Sequence, residues 1–381
     1  MKNNTIPIVV VTDDNYAQHL GVMLTSLYET TQHKERIRVY TLTNSLSTAN
    51  IKALEQITNS YGSSIDFLKV DSSIFSSFGV RNRMSHAAYY KLAIPGLFKD
   101  VADKVIFLDC DLIVSEDIAD LWNTDVSNHA LAAVKEPLFN RHEQLLMPSH
   151  ASFFNSGIMV INIQAWHKSN VFERSMEFLT ENSHKISLHD QDALNAVLYD
   201  HWTELHPRWN FISLFLQLNH EQLGWTEVLW NEVIHNPAII HYSTTKPWYY
   251  LNDHPNKDKY YDYLELTPWR DYVPPDLMHA LNLFNKPQII VYGTGSGGER
   301  VHAKLRDHQV EITYYVDSDS AKWDGSFYGR PIHSPEALMS EDRHQVAIFI
   351  ASYTYYDEIA SQLTRMGFRE GEHYIAGFGR R

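Results

Sequence analysis

Two aspartates stand inside an apolar stretch of the chain, VIFLDCDLIV at residues 105–114. A buried carboxylate without a partner costs free energy, so this pair needs a neutralising group. The preceding residues 105–108 are typical of a buried strand, and strand side chains alternate, so Asp109 and Asp111 should face one side and Cys110 the other. Two oxygen ligands at a strand end suit Mg²⁺ or Mn²⁺. In the alternative, one aspartate caps a helix and the other is solvated.

The segment PAIIHYSTTKPW, residues 237–248, offers a nitrogen ligand for such a cation. His241 follows an apolar strand and would complete a metal site, while Lys246 would pair with a phosphate. In the alternative, His241 is an ordinary strand-end histidine that is hydrogen-bonded to backbone.

The segment LHDQDALN, residues 188–195, carries a second candidate centre. Asp190 would lie beneath a reacting carbon, and Gln191 would hydrogen-bond a substrate. The alternative is a helix start, because Ser187-x-x-Asp190 matches a capping box, and the local pattern by itself favours that interpretation.

Polar residues also follow the first strand, at Thr12-Asp13-Asp14-Asn15. A carboxylate there would accept a hydrogen bond from a base N–H or a ribose hydroxyl. The alternative is an Asx turn that caps the next helix.

Two further segments show polar side chains in apolar surroundings. Asn155, Ser156 and Gly157 separate FF from IMVINI, where small residues permit close approach of a ligand; the alternative is a turn between two strands. In NRMSHAAYYK, Arg83 and Lys91 would contact phosphate from a helix, unless they form a solvated basic face.

A glycine-rich turn lies in the last third of the chain. Gly293, Gly295 and Gly298 fit G-x-G-x-x-G after a strand and before a helix, which is the context for binding a nucleotide pyrophosphate. Asp317 ends the next strand, where a ribose-binding acid would lie. A plain strand-to-helix turn explains the glycines equally well.

The elements that would position these side chains alternate in type through the first half. Strands are predicted at 8–11, 36–42, 65–70 and 105–108, and helices at a stripe from Leu20, at 47–57 and at 85–94, the last ending before Pro95. This rhythm predicts an α/β protein whose mostly parallel sheet has helices on both faces. Ligands of such sheets bind at the carboxyl ends of the strands, so residues 12–15 and 109–111 are expected to meet.

Composition narrows the function classes. The 381 residues suit two or three domains, and 44% hydrophobic residues fill real cores. A net charge of −14 argues against nucleic acid as the main ligand. One cysteine gives no intramolecular disulfide, and no apolar run has the length of a signal peptide or membrane span, which predicts a cytoplasmic protein with at most peripheral membrane association.

Six of these segments occur in the order and spacing of one family: VVTDDNYA, SHAAYYKL, FLDCDLIV, FNSGIMVINI, HDQDALN and HYSTTKPW. The first 270 residues thus resemble the family 8 glycosyltransferases, retaining enzymes of the GT-A nucleotide-diphospho-sugar transferase fold that include bacterial lipopolysaccharide galactosyl- and glucosyltransferases. The resemblance implies that Asp109, Asp111 and His241 hold Mn²⁺, with Mg²⁺ as the alternative.

The resemblance also assigns the donor contacts. It places the uracil end of a UDP-sugar at Thr12, Asp13, Asn15 and Tyr16, and further donor contacts at Cys110, Glu136, Asn155, Ser156 and Lys246. Asp190 and Gln191 fall on reaction-centre positions. Lys91 stands where the family has arginine, which keeps the charge and loses the bidentate fork. Thr244 stands where the family usually has glycine, so the loop that carries Lys246 is expected to be re-shaped.

These observations predict a glycosyltransferase domain at 1–275 and a Rossmann-like α/β domain at 286–381, the latter similar to domains appended to sugar-modifying proteins. The predicted activity is Mn²⁺-dependent, retaining transfer of glucose or galactose from a UDP-sugar to a glycan, glycolipid or glycoprotein. Two alternatives stay open: an NAD-dependent sugar oxidoreductase or epimerase working through the glycine turn, and a non-catalytic UDP-sugar-binding subunit.

Overall fold

The protein is represented by a computed structural model, which describes residues 5–76, 78, 86–244, 246–249, 252, 254–352 and 354–377. The chain forms two compact units: the first comprises Met1–Thr244 and Asp258–Asp271, the second Thr245–Lys257 and Tyr272–Arg381. The domain limits 1–275 and 286–381 stay predictions.

The first unit contains ten strands and ten helices among its described residues. The strands are β1 (Ile6–Val11), β2 (Ile37–Thr43), β3 (Ser64–Lys69), β4 (Lys104–Leu108), β5 (Leu112–Val114), β6 (Leu131–Lys135), β7 (Phe154–Asn162), β8 (Trp202–Glu204), β9 (Phe211–Ile212) and β10 (Ile239–His241). The helices are α1 (Ala17–Thr30), α2 (Thr48–Ser60), α3 (Ile94–Phe98), α4 (Ile118–Trp122), α5 (Ile163–Lys168), α6 (Val171–Glu181), α7 (His189–Leu198), α8 (His220–Leu223), α9 (Glu227–His235) and α10 (Lys257–Leu264), whose first residue groups with the second unit.

The central sheet of the first unit has seven strands in the order β3-β2-β1-β4-β7-β6-β8. Strands β3, β2, β1 and β4 run parallel, as the alternating pattern predicts. Strand β7 is antiparallel to both β4 and β6, so the sheet is mixed. The alternative of a turn at residues 155–157 is wrong, because they lie within the continuous, almost wholly buried strand β7.

A smaller sheet, β5-β10-β9, lies in the same unit. Strand β10 is antiparallel to β5, with His241 opposite Leu112, and parallel to β9. This pairing brings the end of β10 to the turn that follows β4, although well over a hundred residues separate the two in sequence.

The predicted helix at 85–94 differs from the observed one. Residues His86–Ala93 form 3-10 turns that lead directly into α3, with Pro95 in its first turn. Proline is tolerated there because the first N–H groups of a helix have no intrahelical acceptor. The helix therefore does not stop before Pro95.

The second unit is built on a six-stranded sheet in the order β13-β14-β12-β11-β15-β16. Its strands are β11 (Gln288–Tyr292), β12 (Tyr314–Val316), β13 (Ser326–Phe327), β14 (Arg330–His333), β15 (Val346–Ile350) and β16 (Tyr374–Ala376), and its helices are α11 (Pro275–Phe284), α12 (Ser296–Asp307) and α13 (Tyr356–Arg365). All strand pairs are parallel except β13 with β14. The name Rossmann-like stays a prediction for this unit.

Within the described part of the chain, no helix has the length and apolar character needed to cross a bilayer.

Candidate active site

Three ligand-type side chains converge at the carboxyl end of β4. Asp109 and Asp111 lie in the turn between β4 and β5, and His241 ends β10. The Nε2 atom of His241 is 3.5 Å from Oδ1 of Asp111 and 3.9 Å from Oδ2 of Asp109. One ligand atom from each residue lies within 4.8 Å of the other two, and no other group of three in the described residues meets this geometry. The donor set of two carboxylates and an imidazole suits a divalent cation such as Mn²⁺.

Gly157 on β7 lies against this cluster. Its carbonyl accepts a hydrogen bond from the Asp109 N–H, 2.8 Å away. A methyl group at this position would lie 2.4 Å from Cε1 of His241 and 2.8 Å from Oδ2 of Asp109. A side chain at position 157 would therefore displace two of the three ligands.

Lys91 supplies a buried positive charge beside the cluster. Its Nζ is 3.1 Å from Oδ2 of Asp190 and 3.5 Å from Oδ1 of Asp109, and it also reaches the carbonyl and hydroxyl of Ser156. Burial by itself lowers the pKa of Lys91, but Asp109 and Asp190 outweigh it and the pKa is raised. Lys91 is therefore charged at neutral pH and bridges Asp109 of the three-residue cluster to Asp190 at the predicted reaction centre.

The charge of Asp109 is costly in this setting. Desolvation raises the pKa of its carboxyl, Lys91 opposes the rise, and Asp111 adds to it. The Cys110 thiol donates to the carbonyl of Val11, and burial raises its pKa well above the usual value. Cys110 therefore carries a neutral thiol, and its donor contact stays a prediction.

Asp190 and Gln191 lie in the first turn of α7. Oδ2 of Asp190 accepts a hydrogen bond from the Ser156 hydroxyl at 2.8 Å, and Oε1 of Gln191 accepts one from the Ser156 N–H at 3.0 Å. Strand β7 therefore fixes both side chains beside Lys91. The Ser187-x-x-Asp190 capping box is wrong, because the N-cap is Leu188, whose own side chain makes no capping hydrogen bond.

Asp192 takes the role that the capping box assigned to Asp190. Its Oδ2 accepts from the N–H groups of Ser187 and Leu188, at 2.8 and 2.9 Å. Arg141 makes a two-pronged ion pair with the same carboxylate. Sequence reasoning missed both residues, since nothing local connects Arg141 with a helix fifty residues later.

Glu136, Asn155 and Gln191 form a polar network under the site. Oε2 of Glu136 accepts from Nδ2 of Asn155 at 3.2 Å and from Nε2 of Gln191 at 2.8 Å. Oδ1 of Asn155 accepts from Nδ2 of Asn210 at 2.9 Å, and Oδ1 of Asn210 lies 2.8 Å from Nδ1 of His241. Asn210 is a site residue that the sequence did not single out; its only local signal is a polar residue before a short strand.

Residues after β1 lie at the same edge of the sheet, because β1 pairs in parallel with β4. Asp13 forms an Asx turn, accepting from the Asn15 N–H at 3.0 Å, but it does not cap α1, whose N-cap is Tyr16 and has no side-chain capping bond. Thr12 is buried, and its hydroxyl donates to the Asp13 carbonyl. Desolvation first, and then Asp111, raises the pKa of Tyr16.

Two predicted site residues are not placed at this cluster. Lys246 is buried, and its segment Thr245–Lys257 groups with the second unit, so its donor contact stays a prediction. Arg83 lies outside the described residues.

The glycine turn is built from the second unit alone. Gly293 has a φ of +114°, and a methyl group at Gly298 would lie 2.4 Å from the Gly293 carbonyl oxygen, whereas one at Gly295 would meet open space. Oδ2 of Asp317 accepts from the N–H and the hydroxyl of Thr294 and lies 3.0 Å from Nζ of Lys322. These glycines therefore have structural reasons of their own, and a nucleotide at this turn stays a prediction.

Solved structures share the fold. A galactosyltransferase LgtC in complex with donor and acceptor sugar analogues superimposes with a TM-score of 0.62 at 24% identity, covering 69% of this chain and 96% of LgtC. The bifunctional glycosyltransferase WbbM gives a TM-score of 0.59 at 25% identity, covering 72% of this chain and 52% of its own. The first unit thus has a GT-A-like α/β fold.

The chain is also similar in sequence to known proteins. General stress protein A of Bacillus subtilis (strain 168) is 39% identical over 278 residues, which cover 70% of this chain and 96% of that protein. A putative glycosyltransferase of Haemophilus influenzae is 27% identical over 214 residues, covering 55% of this chain and 64% of its own.

Together the fold, the site and the relatives define a glycosyltransferase. Residues 7–252, more than half of the chain, match Glycosyl transferase family 8, and the protein belongs to that family, as its six motifs predict. Residues 285–373 match a different family, described as C2185-like, N-terminal.

Proposed function

We propose that the protein is a retaining hexosyltransferase that uses a UDP-hexose, glucose or galactose, and a divalent metal, preferably Mn²⁺. The observation that carries this proposal is the convergence of Asp109, Asp111 and His241 beside Lys91 and Asp190.

The residues present fit a metal. One atom from each of two carboxylates and one imidazole lies within 4.8 Å of the other two, which leaves room for an ion between them. Gly157 has no side chain to fill the neighbouring space. Bound there, the ion would act as a Lewis acid toward the donor diphosphate and favour departure of UDP. Asp109, Asp111 and His241 would hold it.

The remaining polar residues would each contact a different part of the UDP-sugar donor. Thr12, Asp13, Asn15 and Tyr16 would contact the nucleoside end, and Lys246 would contact a phosphate. Glu136, Asn155, Ser156 and Gln191 would contact the sugar. Glu136, Asn155, Ser156 and Gln191 already hydrogen-bond one another, so these four residues are held in place before a substrate arrives.

Asp190 and Gln191 would act at the anomeric carbon. Asp190 would stabilise a short-lived oxocarbenium ion or attack it to form a covalent intermediate. The Lys91 ammonium lies 3.1 Å from Oδ2 of Asp190 and would keep that carboxylate in position for either role. The acceptor would be a glycan, glycolipid or glycoprotein, and a cytoplasmic location with at most peripheral membrane association stays a prediction.

The test is hydrolysis of UDP-, GDP- and ADP-sugars by purified protein, with and without Mn²⁺. We expect slow, Mn²⁺-dependent release of UDP from one UDP-hexose and retention of anomeric configuration in the sugar product. Metal-dependent UDP binding without turnover would point instead to a non-catalytic subunit. Absence of both, together with NAD binding, would move the function to the glycine turn.

A further inference from the structure

A continuous chain of hydrogen bonds runs from His241 to Gln191. It passes from Nδ1 of His241 to Asn210 over 2.8 Å, from Asn210 to Asn155 over 2.9 Å, from Asn155 to Glu136 over 3.2 Å, and from Glu136 to Gln191 over 2.8 Å. Asn210 is fully buried and His241 nearly so. Water is therefore a poor substitute for any partner lost from this end of the chain.

Backbone N–H groups fix the direction of every bond in the chain. The Gly157 N–H can only donate, and it lies 3.0 Å from Oδ1 of Asn155, so that atom is an acceptor. The amide group of Asn155 then faces Glu136, whose carboxylate accepts. At the far end, the Ser156 N–H donates to Oε1 of Gln191, which turns the Gln191 amide group toward the same carboxylate.

The direction of these hydrogen bonds determines which ring nitrogen carries the hydrogen in neutral His241. Because Oδ1 of Asn155 accepts, Asn210 must donate to it through Nδ2. Oδ1 of Asn210 is then left to face His241, and it accepts a hydrogen bond from the Nδ1–H group. With Nδ1 protonated, the neutral ring carries its lone pair on Nε2, the atom that faces Asp109 and Asp111.

We propose that Asn210 is a positioning residue that holds His241 in the Nδ1-protonated tautomer, so that Nε2 is ready to bind a divalent cation. This inference rests on the metal site of the proposed function. Groups that orient a metal-binding histidine through its other nitrogen contribute about 10–100-fold to metal affinity. Asn210 is not one of the three proposed metal-binding residues, and it would act on the metal through its hydrogen bond to His241.

The experiment measures Mn²⁺ binding directly, by electron paramagnetic resonance of free Mn²⁺, in the full-length protein without a sugar donor. Asn210→Leu removes the acceptor, and we expect its Kd for Mn²⁺ to rise about 10–100-fold. Asn210→Asp keeps an oxygen that accepts from Nδ1, and we expect it to restore most of the affinity. The matched control is Asn182→Leu, which removes another buried asparagine of the same unit and should leave the Kd unchanged.

A second readout separates positioning from general loss of structure. In metal-free protein above the titration range of histidine, ¹⁵N NMR should report a protonated Nδ1 for His241 in the wild type and a mixture of tautomers in Asn210→Leu. Wild-type Mn²⁺ affinity in Asn210→Leu overturns the proposal. The proposal is also overturned if Asn210→Asp and Asn210→Leu bind Mn²⁺ equally weakly while the His241 tautomer is unchanged in both. If Asn210→Leu does not fold, weak Mn²⁺ binding by a folded Asn210→Asp overturns it as well. Lack of Mn²⁺ binding by the wild type would overturn the metal site itself.

Discussion

In each of the two units, an aspartate follows a strand in the interior of the main sheet: Asp109 follows β4 and Asp317 follows β12. The pKa values of these two carboxyl groups are shifted in opposite directions. In the first unit, Asp109 lies beside Asp111, and desolvation raises its pKa. In the second, burial also opposes the charge of Asp317, but hydrogen bonds from Thr294, Asp319 and Lys322 outweigh it and the pKa is lowered. The negative charge of Asp109 is thus destabilised by its surroundings, whereas that of Asp317 is stabilised by hydrogen bonds within the second unit.

The difference separates two motifs that are about equally suggestive in the sequence, Asp109-Cys110-Asp111 and the glycine turn with Asp317. A carboxylate whose donors come from its own turn has a structural role that needs no ligand. A pair of carboxylates that faces a histidine, and shares one lysine with a third acid, favours the addition of a cation. The second arrangement is the better candidate for catalysis.

Removing a ligand of the acidic cluster tests the comparison most severely. Asp109→Ala should abolish metal-dependent turnover, lowering the rate of UDP release at least about a hundredfold, because the charge stabilisation supplied by a metal is worth several kcal/mol. The control is Asp66→Ala, which removes an exposed strand aspartate that pairs with Arg38. Full activity in Asp109→Ala would refute the site assignment.

Adding one methyl group beside the cluster should have a smaller effect. Gly157→Ala places Cβ against His241 and Asp109, so we expect Mn²⁺ affinity to fall on the order of tenfold or more. Calorimetric titration with Mn²⁺ measures it, and thermal melting checks the fold. An unchanged Kd would mean that the two ligands move aside without loss.

The same substitution in the glycine turn should affect stability and leave metal binding alone. Gly298→Ala forces a methyl group against the Gly293 carbonyl and should cost about 1–3 kcal/mol of unfolding free energy in the second unit. Hydrogen exchange of the β11 and β12 amides reports on that unit. Gly295→Ala is the matched control, since its methyl group meets open space. Similar protection in both variants would contradict the packing role of Gly298.

The smallest expected effect is that of Asp317→Asn, about 1 kcal/mol, the loss of charge-assisted hydrogen bonds. Because the folded pKa of Asp317 is lowered, its contribution is complete above the unfolded value of about 3.9 and is lost as the pH falls through the folded pKa. Exchange of the β12 amides should therefore differ between variant and wild type at pH 7 and converge in acid. A constant difference across that range would assign the effect to something other than the charge.

Much of the catalytic unit follows from local pattern. Apolar runs predict β1 to β4, and Ser47 caps α2 at the predicted start of that helix. The order of six motifs was enough to predict the family, which the comparisons confirm. These features depend on neighbours within a few residues, or on the order of segments, and both are visible in a sequence.

The contacts between distant polar groups are visible in the three-dimensional structure alone. Nothing near Asp192 indicates that it, and not Asp190, holds the start of α7, since Arg141 arrives from a distant loop. Asn210 reaches His241 because β9 and β10 pair in parallel. Hydrogen bonds between distant segments depend on strand pairing and on which side chains are buried together, so the sequence determined the candidate residues and the fold determined their partners.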